Sequence, residues 1–224
     1  MNKLFYLVLP TLFFIQSANS VAQTRAVTEK GDTIFVYANG TWSYEFEEIT
    51  NEVNEFDFLN LALTVDTIAT KQVFSPNAKS EVKSEIIGFK VKYDDKKWKR
   101  VPPGGLNADA DFAFEFKSAD VWCIIIDEET SFSPENLFRI AKRTMENNLN
   151  ATTEILKTQV VNVNGTNLFR GVIKAQVSGI SFVFDSYYYS NELGSVQFTT
   201  WTSDNLWKKY ERDITELLNG FIAK

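Results

Sequence analysis

Apolar and polar residues alternate over several stretches of this chain, and Asn-Gly and Ser-Gly pairs separate many of them. In TIFVYANGTWSYEF, residues 33–46, Ile34, Val36 and Ala38 alternate with Phe35 and Tyr37, and Trp42, Tyr44 and Phe46 alternate with Thr41, Ser43 and Glu45. Two strand-like runs around Asn39-Gly40 predict a hairpin with a type I′ turn, which needs positive φ at both central residues. Turn geometry therefore accounts for Asn39 and Gly40 without a ligand. An isolated hairpin is marginal in water, so these aromatics are expected to cover the main domain or a partner. Residues 47–56, EEITNEVNEF, have little periodicity and read as a solvated connection. Residues 58–65, FLNLALTV, alternate as a strand would, and 75–85 are polar again.

From residue 86 the pattern is denser. IIGFKVKYD puts Phe89, Val91 and Tyr93 on one face of a strand, and DFAFEFK does the same with Phe112, Phe114 and Phe116. KKWKRVPPGG, residues 96–105, reads as a loop, because Pro and Gly end regular structure. The continuous apolar run VWCIII, residues 121–126, suits a central strand covered on both faces. Residues 133–149 read as a helix. Ser133 is the N-cap, Pro134 takes the first helical position, and Leu137, Ile140, Ala141, Met145 and Leu149 form one stripe.

Strands follow. Residues 153–163 and 166–177 flank Asn164-Gly165, Ser178-Gly179 turns into 180–189, and the turn 191–194 leads into 195–202. A closing helix is expected from Asp204 to about Phe221, with Gly220 at a frayed end. Strands joined by hairpins, with two helices outside them, predict an α+β fold. Its antiparallel sheet is flanked by helices, and a β-hairpin precedes it. The expected organisation is a leader over 1–22, the hairpin and acidic connection over 23–66, and an α+β domain over 67–224.

This order of elements resembles the PsbP-like fold, that of the extrinsic oxygen-evolving protein of photosystem II and its secreted bacterial relatives. The stretches that carry the resemblance are GFKVKYDDKKWKRV, SFSPENLFRIAKRTMENNL, VNVNGTNLFRGVIKAQVSGISFVFDSYYYS and DNLWKKYERDITELLNGF, within residues 80–224. The opening GDTIFVYANGTWSYEF resembles a short hairpin near the start of many exported Bacteroidetes proteins, in which Gly-Thr-Trp follows the turn. The PsbP-like resemblance implies a binding or assembly protein without a shared catalytic motif.

The chain opens MNKLFYLVLPTLFFIQSANSVAQ, with Lys3 ahead of an apolar run from Leu4 to Ile15 and small residues around Ala18-Asn19-Ser20. That is the pattern of a secretory signal peptide, and the run is shorter than the ~20 residues a membrane-crossing helix needs. A periplasmic or secreted protein is expected, without membrane insertion after cleavage. Acidic residues outnumber basic ones, 29 to 23, which argues against nucleic acid and anionic lipid as partners. The one cysteine, Cys123, cannot form an internal disulfide, so the core alone must hold the fold.

There is no histidine, which removes the common zinc sites, the Ser-His-Asp triad and the usual general base near neutral pH. Ser80-Glu81-Val82-Lys83 and Ser203-Asp204-Asn205 match two of three penicillin-binding signatures, but Lys-Thr-Gly is missing, and Asp204 suits a helix cap better. Cys123, within an apolar strand, reads as a core thiol. Asp109, Asp111, Asp127, Glu128 and Glu129 lie at strand ends without the D-x-D-x-D-G loop that calcium would need. No catalytic residue, metal ligand or cofactor is assigned.

The remaining candidates are binding residues. Trp98 and Arg100 lie in the one basic-aromatic cluster, residues 96–100, and both types are enriched in interface hot spots. The alternative there is a solvated strand end with Trp98 folded over the sheet edge. Tyr188 and Trp201, with Gln197 and Thr199, could form an exposed aromatic-polar face unless a helix covers it. Trp42 and Tyr44 keep a smaller claim. The expected function is a non-enzymatic exported module that presents a sheet face or loop rim to an unidentified protein partner in the cell envelope. The alternatives are a small-ligand or carbohydrate binder using Tyr and Trp, and a carboxylate-based hydrolase.

Overall fold

The computed structural model describes residues 24–28, 31, 33–36, 42–43 and 57–223. The chain divides into two compact units, residues 1–53 and 54–224. Tyr44, Asn39, Gly40 and the leader over 1–22 lie outside the described residues.

In the first unit, β1 (Thr24–Val27), β2 (Thr33–Val36) and β3 (Trp42–Ser43) form an antiparallel sheet in that order. Val36 opposes Trp42 and Phe35 opposes Ser43. The turn expected between these strands at Asn39-Gly40 falls on residues outside those described.

The second unit contains β4 (Asp66–Gln72), β5 (Ser80–Lys83), β6 (Phe89–Tyr93), β7 (Trp98–Val101), β8 (Phe112–Phe116), β9 (Trp122–Glu128), α1 (Pro134–Asn148), β10 (Thr152–Val163), β11 (Thr166–Val177), β12 (Ile180–Asn191), β13 (Gly194–Ser203), α2 (Asp204–Leu218) and β14 (Phe221–Ala223). Eight strands form one sheet in the order β4-β10-β11-β12-β13-β9-β8-β7, and three more form a small sheet in the order β14-β6-β5. Every pairing in the large sheet is antiparallel except β4 with β10.

Local turn chemistry sets the long meander. Val163 opposes Thr166 across Asn164 (φ 50°) and Gly165 (φ 91°), and Val177 opposes Ile180 across Ser178 (φ 50°) and Gly179 (φ 83°). Both are the two-residue turns with paired positive φ expected there. Asn164 does more than turn the chain. Its Oδ1 accepts from Phe74 N at 3.0 Å, and its Nδ2 donates to Asn219 O at 2.8 Å and Phe221 O at 2.7 Å.

The helices cover opposite faces of the large sheet. Helix α1 has Ser133 as N-cap, whose Oγ accepts from Asn136 N at 3.2 Å, and Pro134 in its first turn. Its Leu137 and Phe138 pack on Phe169, Ile173 and Tyr188. Phe138 can reach the sheet because residue 171 of β11 is glycine. A Cβ there would stand 2.2 Å from Phe138 Cδ2. On the other face α2 and the small sheet enclose the main core, which includes Phe89, Phe114, Phe198, Ile214, Leu218 and Phe221. A buried ion pair lies under α2. Arg170 of β11 donates to both oxygens of Asp185, at 2.9 and 2.6 Å, and Trp207 Nε1 of α2 reaches the same carboxylate at 3.3 Å.

Four segments differ from expectation. Residues 58–65 are not a strand: Asp57–Asn60 form a 3-10 turn, and Leu63 then packs against the α1 cluster. The carbonyls there go to side chains, Leu61 O to Arg139 Nε at 3.1 Å and Thr64 O to Thr158 Oγ1 at 2.6 Å. The polar stretch 75–85 holds strand β5, whose Val82 is its one buried residue, and the expected loop 96–105 holds β7. The closing helix stops at Leu218, and Phe221, expected on that helix, pairs instead with Val91 in the small sheet.

Candidate functional site

Strand alternation and register place one row of aromatics across the α1 face of the large sheet. Phe184 of β12 directly opposes Trp201 of β13, which directly opposes Trp122 of β9. The rings stand nearly parallel, Phe184 to Trp201 at 6.4 Å and 19°, and Trp201 to Trp122 at 6.1 Å and 26°. Such cross-strand aromatic neighbours stabilise the sheet. All three are only half-buried. Along β13 the same face carries Thr199, opposite Ile124, and Gln197, opposite Ile126. To one side lies the cluster under α1. To the other, Val101 and Leu106 pack with Ala110 and Ile124, and Trp201 borders that small cluster. The result is an aromatic strip with an amide and a hydroxyl beside it.

The sequence-derived candidates are scattered over the molecule. Trp201 lies in the strip. Tyr188 shares its face but is 0 % exposed, because Phe138 of α1 packs edge-on against it at 5.9 Å. Burial pushes its phenol well above the usual tyrosine range. Trp98 is 2 % exposed and packs on Phe116 at 5.0 Å, and Phe116 in turn contacts Tyr210 of α2. The expected contact roles of Tyr188 and Trp98 are therefore corrected: both are core residues. Arg100 is exposed, but it lies opposite Phe114 on the other face of the sheet, with its guanidinium 5.4 Å from the Phe112 ring. Of the basic cluster around it, Lys97 is engaged by α2, at 2.8 Å from Asp213 and 2.7 Å from Glu216. Trp42 belongs to the first unit, in β3.

Phe184 and Trp122 were missed as site residues. A two-residue turn at Glu192-Leu193 would have paired Phe184 with Trp201. Trp122 joins only through β9, far away in sequence, and carried no local signal.

The titratable groups offer little chemistry. Cys123 is fully buried, and burial raises its thiol well above the ordinary value. Among the described residues no three potential ligands are grouped to hold a metal ion. A shallow concavity of about 360 Å³ lies between residues 58–62 and α1, with Arg139, Lys142, Arg143 and Glu146 on the helix side. Burial opposes ionisation of Glu146, but Lys142 and Thr153 overcome it and hold the carboxyl below its ordinary range, the wrong direction for a general acid. Among the described residues the one carboxyl raised is Asp127, pushed up to about 6 by burial and by Asp111. No helix among the described residues is long and apolar enough to cross a membrane.

No protein-family model matches the chain, and no curated relative matches it. Solved structures do. Cyanobacterial PsbP from Synechocystis sp. aligns with a TM-score of 0.50 at 12 % identity, covering 67 % of this chain and 95 % of that one. A protein from Bacteroides thetaiotaomicron aligns at 0.43 and 11 % identity, covering 66 % and 49 %. LpqN of Mycobacterium tuberculosis, described as involved in cell envelope biogenesis, aligns at 0.44 and 9 % identity, covering 63 % and 88 %. The fold is PsbP-like.

Proposed function

We propose that this chain is an exported, non-enzymatic binding or assembly module, periplasmic or secreted, which presents the Phe184–Trp201–Trp122 strip to a protein partner in the cell envelope. One observation carries the reading: three large rings lie in register across three strands and stay half-buried, although the same sheet buries Tyr188 and Phe169 completely under α1. Partly exposed aromatics on a rigid base are the residues from which interface hot spots are built. The signal-like residues 1–22 support export. The absence of histidine and the PsbP-like fold support a role without catalysis.

The test is co-purification from an envelope extract of the native host with wild type and Trp201→Ser. The reading expects a stoichiometric partner on wild type that the variant loses, while its thermal midpoint stays within a few degrees. A partner retained in full by the variant overturns the face assignment. A second reading rests on the near-parallel planes of the strip, which suit stacking on the apolar faces of sugar rings. Quenching of tryptophan fluorescence by oligosaccharides, lost in Trp201→Ser, would favour that reading over a protein partner.

A further inference from the structure

A different surface lies at the end of the large sheet where three loops meet. Residues 84–88 read SEIIG, 127–133 read DEETSFS, and 190–195 read SNELGS. Each loop exposes one large apolar side chain: Ile86 at 48 %, Phe132 at 37 % and Leu193 at 58 %. In each, that residue stands near acids: Glu85 in the first, Glu128 and Glu129 in the second, Glu192 in the third, all exposed. None of the three loops contains a lysine or arginine.

The loops are locked together. Ser84 Oγ accepts from Ile86 N and Ile87 N and donates to Asp127 Oδ2. Asn191 Nδ2 donates to Ile87 O at 3.1 Å. Ser195 Oγ donates to Thr130 O at 2.7 Å and accepts from Phe132 N at 2.8 Å. At the centre is Gly194, with φ 152°, where a Cβ would stand 2.0 Å from Glu128 O and 2.5 Å from Ile87 Cδ1. Only glycine lets the third loop approach the Glu128 backbone and the Ile87 side chain so closely. The tips are thus pre-organised, and exposed apolar groups on a fixed base lose little conformational entropy on binding.

We infer that this rim is a docking surface for a cationic amphipathic polypeptide segment, whose apolar side chains cover Ile86, Phe132 and Leu193 while its lysines or arginines meet the surrounding glutamates. The charge pattern selects this occupant. A neutral apolar partner would leave four glutamates to be desolvated unpaired, and an acidic one would be repelled. The inference goes beyond the sheet-face reading, since it uses other residues and names the chemistry of the partner.

The test uses purified protein and a fluorescein-labelled synthetic amphipathic peptide of lysine and leucine. Two control peptides replace leucine by serine or lysine by glutamate. The expected result is saturable binding by wild type, weakened at least about tenfold in Ile86→Ser/Leu193→Ser, which keeps every acid. Glu129→Gln/Glu192→Gln should slow association and flatten its salt dependence. Trp201→Ser should bind like wild type. Absence of binding by wild type overturns the inference. So does equal binding of the serine control peptide, or equal affinity of the Ile86/Leu193 variant, because attraction to an acidic protein would then suffice. Loss of binding in Trp201→Ser but not in the rim variant would move the site to the sheet face.

Discussion

Asp127 lies near the end of β9, with Ser84 donating to one of its oxygens and its backbone N–H bonded to Asp111 Oδ2 at 2.9 Å. Its other oxygen is buried without a partner. Burial and then the Asp111 carboxylate raise its value from 3.8 to about 6. A folded-state value above the unfolded one means that the fold holds this proton more tightly. The associated stability is present in full below about pH 4 and is lost as the pH climbs through about 6. Asp127→Asn should therefore gain on wild type as the pH rises, with the difference in thermal midpoint shifting in its favour between pH 4 and 7. A pH-independent difference would show that the carboxyl is not held in its protonated form. Residues of this kind are hard to read in sequence, since Asp127 looked like one more strand-end acid. Trp98 and Trp201 were equally indistinct: both read as candidate contact residues, and only the pairing of β7 with β8 sends Trp98 into the core. Histidine, by contrast, was legible simply by its absence.

At the scale of elements, what could be read was what local chemistry determines. The hairpins at Asn164-Gly165 and Ser178-Gly179 and the Ser133-Pro134 start of α1 all stand where the residues put them. Strands β5 and β7 were missed because each is four residues long with a single buried side chain, too short for a period to show. Residues 58–65 alternate as a strand does, yet they lie over α1 and spend their carbonyls on Arg139 and Thr158. The packing of α1 makes a prediction of its own. Gly171→Ala drives a methyl into the Phe138 ring and should cost about 1–3 kcal/mol, as overpacked cores do. Combined with Phe138→Leu, the same substitution should cost less than the sum of the two single changes, measured as a double-mutant cycle in urea. Strict additivity would mean that β11 gives way without the helix moving.

In the second unit as a whole, the order of strands reflects contacts that no stretch of sequence announces. Strand β9 pairs with β13 some seventy residues on, and the last strand, β14, joins β6 from the early part of the domain. Phe221 is 1 % exposed, stacks on Phe89 at 5.3 Å, and its carbonyl accepts from Asn164. A chain ended at Gly220 should lose about 3–5 kcal/mol of stability, the range for emptying a large aromatic site, read as a lower urea midpoint. An unchanged midpoint would mean that the small sheet closes without its third strand. The shortness of this strand also bears on local opening. β14 pairs with β6 over only three residues, so its amides should exchange with solvent faster than those of the ten-pair ladder between β12 and β13. Where it lifts, Phe221 leaves the core with it.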